Sequence, residues 1–344
     1  MLPYRTETLT FPAGTQIKDI AVSVEAVTVE QLYSHLKPAP TPLTGTGDES
    51  TPPSKMAPVY TQDSFYPDGW LTYRIGTGIQ DGEYQLFLTI YAYPYRYNPV
   101  SRELMTAGTI DVTVSYDTPV NPVIMADDYD LLILCPEEWS DELQPLAEHK
   151  EQHGIATVIV TLDDISTSEY FPVEGRDDSE QIKYFIKNAA ESWGITYVML
   201  VGGYAKFPMR ETYIHDQAEE RWLGMPVPTD LYYADFYDAN MSFASWDTNG
   251  NGRYGEFAWQ ENNNETYDEV DLHADVYLGR LACDNADEVT TLVNKIIAYE
   301  TTAYGRRWFN RVLCVAGDDA PNDGFGDVDE GIILTETSLE YLPN

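Results

Sequence analysis

Basic residues are scarce in this sequence. Twenty lysines and arginines stand against 57 aspartates and glutamates, a formal net charge of −37 over 344 residues. That balance excludes nucleic acids and anionic membrane surfaces as partners, since both are held by basic patches. Long apolar runs are also missing: none reaches eighteen residues, so no membrane-spanning helix is expected. The first residues, MLPYRTETLTFPAGTQ, lack the apolar stretch of a signal peptide. Cysteine is rare. Cys135, Cys283 and Cys314 form no C-x-x-C pair and sit in the apolar contexts LLILC, GRLAC and RVLCVAG, which predicts buried free thiols. Histidine is rare too, and no H-E-x-x-H, P-loop or G-x-S-x-G occurs. His149 and His153 lie in a polar helix end, LAEHKEQHG, and are expected to be solvated there. GTGIQDG does not stand between a strand and a helix, so it is no dinucleotide loop.

What is present changes character near residue 120. Before it, IAVSVEAV (20–27), WLTYRIG (70–76), YQLFLTIYAY (84–93) and TIDVTVSY (109–116) read as strands, the last with Ile110, Val112 and Val114 on one face. Residues 1–120 are therefore expected to form an antiparallel β-sandwich, interrupted by the Pro/Ser/Thr/Gly-rich stretch 37–58. After it, strands and helices alternate. DLLILC (130–135), IATVIVTL (155–162), TYVMLVGG (196–203), ADVYLGRL (274–281) and RVLCVAG (311–317) read as strands of a mostly parallel sheet with helices on both faces. The helix after residue 177 carries a capping box at Asp178 and Gln181 and an apolar stripe of Ile182, Phe185, Ile186 and Ala189. Residues 204–270 form an insertion within this α/β region of 121–344. Ligands of such sheets bind at the carboxyl ends of the strands, here Cys135, Asp163–Asp164, Gly202–Gly203 and Gly317–Asp319.

The insertion holds SWDTNGNGRYGEF, with Asx residues at every second position. Calcium takes six to eight oxygens from carboxylates, amides and backbone carbonyls. Asp247, Asn249, Asn251, the Arg253 carbonyl and Glu256 are the expected ligands, with Gly252 allowing the sharp turn. The loop is no standard EF-hand, because its twelfth position is Ala258. An Asx/Gly-rich surface turn without an ion is the competing reading.

Several segments, in order, resemble the gingipain-type (C25) cysteine peptidases. These are YDLLILCPEEWSDELQPLAEHKEQHGIATVIVTLDDI, GITYVMLVGG, DLYYADFYD, VDLHADVYLGRLACDNADEVTTLVNKIIAYE and RVLCVAGDD, spanning 129 to about 335. AYPYRYNPVSRELMTAGTIDVTVSY is similar to that family's propeptide. The resemblance implies a caspase-like fold, a secreted or surface-located endopeptidase acting on protein or peptide substrates, and a propeptide in intramolecular contact with the catalytic domain. It also implies a cysteine nucleophile and a histidine, in settings that come after the point matching Asn344. Neither motif occurs here, so the 344 residues alone are expected to be inert, and Cys283 is not assigned as nucleophile. By the same resemblance, Asp319 matches an acidic residue beside the catalytic histidine, with Asp318 competing for the role. Asp327 matches an acidic residue of the pocket for a basic side chain. Gly203 departs from the family, where an aspartate often follows VG. The alternative is a non-catalytic, calcium-stabilised binding module on the same scaffold.

Overall fold

The computed structural model describes residues 2–36, 58–119, 128–215, 226–258, 267–315 and 330–339. Three antiparallel sheets occupy the N-terminal part. The first has the order β1-β5-β4, built from β1 (Arg5–Pro12), β4 (Leu71–Gln80) and β5 (Glu83–Ala92). The second pairs β2 (Gln16–Glu25) with β8 (Thr109–Asp117), setting Ile110, Val112 and Val114 opposite Val24, Val22 and Ile20. The third joins β3 (Thr28–Gln31), β6 (Tyr95–Asn98) and β7 (Glu103–Thr106) in the order β3-β7-β6. Leu86, Leu88 and Ile90 alternate along β5 and are buried, while Phe11 of β1 meets Tyr116 of β8 at 4.7 Å between ring centroids. Among the described residues β4 is an edge strand.

The second part is built on a parallel sheet. Its strands are β9 (Leu131–Cys135), β10 (Thr157–Thr161), β11 (Tyr197–Val201) and β15 (Tyr277–Leu281), in the order β10-β9-β11-β15. Every residue of β9 is buried, as a central parallel strand covered on both faces requires. Leu132 and Leu134 face α3 (Asp178–Trp193), where Ile182, Phe185, Ile186 and Ala189 form the inward stripe. Leu131, Ile133 and Cys135 face the other way. They meet Leu143 and Leu146 of α1 (Ser140–Gln152) and Val289 and Val293 of α5 (Ala286–Thr302). Each such side chain contributes about 1.5–3 kcal/mol through burial. The sheet faces thus read directly from alternate residues of one strand.

Helix ends follow local chemistry. The cap of α3 is Asp177, one residue before the expected one, because its carboxylate accepts the Glu180 amide at 2.9 Å. Gly194 ends that helix in the left-handed region at φ 79°. Asn285 caps α5 by accepting Glu288 N at 3.0 Å. Pro145 lies in the second turn of α1, where it leaves the Asp141 carbonyl without its helical donor. A short helix, α2 (Leu162–Ser166), follows β10 directly.

The insertion forms its own sheet. β12 (Arg210–His215), β13 (Pro226–Thr229) and β14 (Tyr254–Ala258) adopt the order β13-β12-β14, and the one-turn α4 (Leu231–Ala234) packs under the main sheet. A last helix, α6 (Glu330–Leu339), lies near the C-terminus.

Two expectations about the run that follows α5 need correction. The apolar run from Arg311 to Val315 forms no strand, and Leu313 and Val315 are exposed. It has no ladder partner among the described residues, and strand propensity without a partner does not make a strand. Cys314 goes with it and is exposed rather than buried.

Candidate functional site

The carboxyl ends of β9, β10, β11 and β15 are where an open α/β sheet places its ligands. Cys135 and Cys283 both lie there and are buried. Burial, aided by Glu137, Asp164, Glu138 and Glu142, pushes the Cys135 thiol up to about 12. Burial, with Glu288 and Asp284, raises Cys283 too. Both shifts run opposite to the one that activates a nucleophilic thiol. Asp164 is occupied by a capping box: Thr161 Oγ1 accepts Asp164 N at 3.1 Å and Asp164 Oδ2 accepts Thr161 N at 2.9 Å. A Cβ on Gly203 would stand 2.8 Å from Oδ1 of the exposed Asp284, which has room to turn away. Arg280, at the end of β15, holds this rim together. Its Nε and Nη2 donate to the two oxygens of Asp230 at 2.6 Å each, and Nη1 donates to Gly202 O at 2.7 Å. Asp318, Asp319 and Asp327 lie outside the described residues.

The Asx loop brings most of its expected residues together. Asp247 and Glu256 are both buried. Asn249 Nδ2 and Asn251 Nδ2 donate to the same oxygen, Glu256 Oε2, at 3.0 and 2.5 Å. Gly252 N donates to Asp247 Oδ1 at 3.2 Å. Sequence reasoning missed Asp268, whose Oδ1 accepts Thr248 N at 2.7 Å and whose Oδ2 accepts Glu256 N at 3.0 Å. It also missed Arg176, which donates to Asp247 Oδ2 at 2.6 Å. Arg253 brings its guanidinium to 3.7 Å from Glu256 Oε1. Among the described residues no three of His, Cys, Asp and Glu gather closely enough to hold a metal on their own. An ion here would therefore need the amide and backbone oxygens that calcium accepts.

A second polar cluster was not legible in the sequence. Lys183 of α3 is fully buried, with its Nζ donating to Ala244 O and lying 4.2 Å from the Tyr232 ring centroid and 5.4 Å from that of Trp246. Asp235 and Asp275 are also fully buried. Asp275 Oδ2 accepts Phe236 N and Tyr237 N at 2.7 and 2.8 Å, while its Oδ1 has no partner among the described residues. Asp235 lies near Trp246 Nε1 and Leu272 N without a well-formed hydrogen bond. Burial pushes Asp275 up to about 9 against those two amides, with Asp235 and Asp271 adding to the rise. Burial lowers Lys183 and raises Asp235, and the charge of each opposes the other's shift. Of the two helical histidines, His153 is exposed as expected, whereas His149 is buried, with Nε2 2.9 Å from Glu300 Oε2.

Comparison with known proteins agrees with this layout. Residues 1–129 match the family model Propeptide_C25, and residues 125–344 match Peptidase family C25. Gingipain R2 of Porphyromonas gingivalis is 21% identical over 320 residues, covering 82% of this chain and 36% of that protein. Gingipain R1 of the same organism is 20% identical over 318 residues, covering 82% of this chain and 27% of the other. The chain thus spans about a third of the length of Gingipain R2 and about a quarter of that of Gingipain R1. Among solved structures, the complex of RgpB pro- and mature domains from P. gingivalis aligns at 19% identity with a TM-score of 0.26, covering 35% of this chain and 60% of that one. Dimeric latent PorU from the same organism aligns at 16% identity with a TM-score of 0.35, covering 70% and 22%. The two family models, one after the other, account for the whole chain, which belongs to peptidase family C25 and opens with that family's propeptide.

Proposed function

We propose that these 344 residues are the propeptide and the first part of the catalytic domain of a secreted, gingipain-like cysteine endopeptidase zymogen. The observation that supports this most is the unbroken succession of the propeptide model and the peptidase model along the chain. In this reading residues 1–120 form a β-sandwich propeptide and 121–344 begin a caspase-like domain. The nucleophile and its histidine lie beyond Asn344, a view favoured by the raised thiols of Cys135 and Cys283. The missing cysteine attacks the scissile carbonyl as a thiolate while the histidine shuttles the proton. Asp319 orients the imidazolium, and Asp327 pairs with a basic substrate side chain.

The intact mass of the native gene product, read with its frame beyond Asn344, tests this. A continuation carrying a Gly-His-Gly and a strand-end cysteine, together with labelling by a thiol-directed peptidase probe, is the expected result. A native product without that pair would replace the reading with a calcium-stabilised binding module.

Calcium belongs to the same proposal. Asp247, Asn249, Asn251, Glu256 and the Arg253 carbonyl would hold it, with the asparagine amides turned to present oxygen. The ion would supply positive charge beside two buried carboxylates, so that its removal loosens 238–270 more than the core. Thermal unfolding and limited proteolysis with calcium or chelator check it: calcium should raise the melting temperature and protect this segment. No change in either would remove calcium from the account.

A further inference from the structure

The sequence contains one glycine pattern that the proposed activity leaves unexplained, Ile75-Gly76-Thr77-Gly78-Ile79 on β4. Glycine inside a strand weakens it and marks a close approach of another backbone. Here the approaching backbone is Asp271–Ala274, the segment that leads into β15. The outward amides of the β4 edge are taken by it: Thr77 N donates to Asp271 Oδ2 at 2.9 Å and Ile79 N to Ala274 O at 2.8 Å. The other carboxylate oxygen, Oδ1, accepts His273 N at 2.9 Å, so one aspartate shapes its own turn and reads the neighbouring strand. The His273 ring lies flat against Phe87, 4.6 Å away at 14°. A Cβ on Gly76 would stand 2.2 Å from His273 Cδ2, and one on Gly78 would stand 2.6 Å from Ala274 O. Neither glycine has a positive φ, so the strand tolerates a side chain at both positions and only the docked segment forbids it. Leu272 completes the picture with φ 62°, a left-handed conformation that persists only where surrounding contacts enforce it.

We infer that the Gly76-Thr77-Gly78 notch is the recognition site by which the N-terminal β region grips its own peptidase region. Its ligand is an extended strap of the form Asp-x-His-Ala. The strap offers a carboxylate and a carbonyl to successive edge amides and lays a flat ring on Phe87. This is recognition by strand edge, in which backbone hydrogen bonds give affinity and side-chain fit gives selectivity. It rests on the propeptide reading only for its consequence, latency; docking is measured without any peptidase assay, so the two can fail separately.

The test uses the full chain with a specific protease site inserted between Asp117 and Leu131. After cleavage, the two parts of the wild type and of Thr77→Val should co-elute in size exclusion at micromolar concentration, because recognition runs through the Thr77 amide and not its hydroxyl. Gly78→Val and Asp271→Ala should weaken the association at least tenfold. Hydrogen exchange of the Thr77 and Ile79 amides in the uncleaved chain should quicken by a similar factor. His273→Ala, which creates no clash, carries the test where Gly78→Val fails to fold, and it should weaken the association in the same direction. Separation of the wild-type parts, or co-elution of all variants with unchanged affinity and exchange, overturns the inference.

Discussion

Asp275→Asn removes a single proton-binding group from the buried cluster while keeping an oxygen to accept the Phe236 and Tyr237 amides. In the folded chain burial holds Asp275 up to about 9, against an ordinary carboxyl value near 3.8. A raised pKa means that the folded state binds a proton that the unfolded state has released. The stability this contributes is fully present below about 4 and is lost progressively as pH rises through about 9. In that window the slope is about 1.4 kcal/mol per pH unit, since one proton separates the two states. Other groups tilt the wild-type curve as well. Lys183, lowered by burial, makes stability rise with pH over part of the range, and the surface carboxylates act in the acid range. The comparison that isolates Asp275 is therefore variant minus wild type. That difference should grow in favour of Asp275→Asn by roughly 1–1.4 kcal/mol per pH unit from pH 5 to pH 8. Urea unfolding at four pH values in that range measures it. A difference that stays constant with pH would show that Asp275 is an ordinary ionised carboxylate, and the buried-cluster argument would fall.

Three further outcomes follow from the site geometry. Arg280→Ala leaves Asp230 without its guanidinium and Gly202 O without its donor, and should destabilise the fold by about 3 kcal/mol in urea unfolding. Ellman-type thiol titration of the native chain should count one accessible cysteine, Cys314, and three only after denaturation. Glu256→Gln should abolish any calcium-induced rise in melting temperature, because it removes the carboxylate on which Asn249 and Asn251 converge.

The parallel sheet was legible because its signal is local. Five consecutive buried residues in β9 and an inward stripe on α3 can be read from composition and period alone. β1 was not seen, since RTETLTFP alternates threonine with little apolar content and is largely exposed. The Asx loop was legible from spacing, but Asp268 reaches Glu256 from 12 residues away and Arg176 reaches Asp247 from 71, and no local pattern announces them. Lys183 reads as the polar side of an amphipathic helix. Its burial comes from Tyr232 and Trp246 of the insertion, which fold back over α3. The notch on β4 was legible in principle: two glycines two residues apart in a strand already ask what approaches there.

One run of five residues joins the two unforeseen features. Asp271 reads the β4 edge, and Asp275 holds the Phe236 and Tyr237 amides in the core of the insertion. The carboxyl of Asp271 is itself pushed up to about 6, chiefly by burial, and it contributes to the rise at Asp275. If 271–275 acts as one unit, grip on β4 and protonation of the core are coupled. Asp271→Asn removes a like charge, so Asp275 should release its proton at lower pH in that background. The stability difference made by Asp275→Asn should then stop growing at a lower pH than in the wild type. A double-mutant cycle measured at pH 6 and pH 8 reads this directly, with a coupling of about 0.5–3 kcal/mol expected for groups this close. Additivity at both pH values would mean that the strap and the buried cluster are neighbours without influence on each other, and that docking of the N-terminal region is indifferent to the ionisation of the core beneath it.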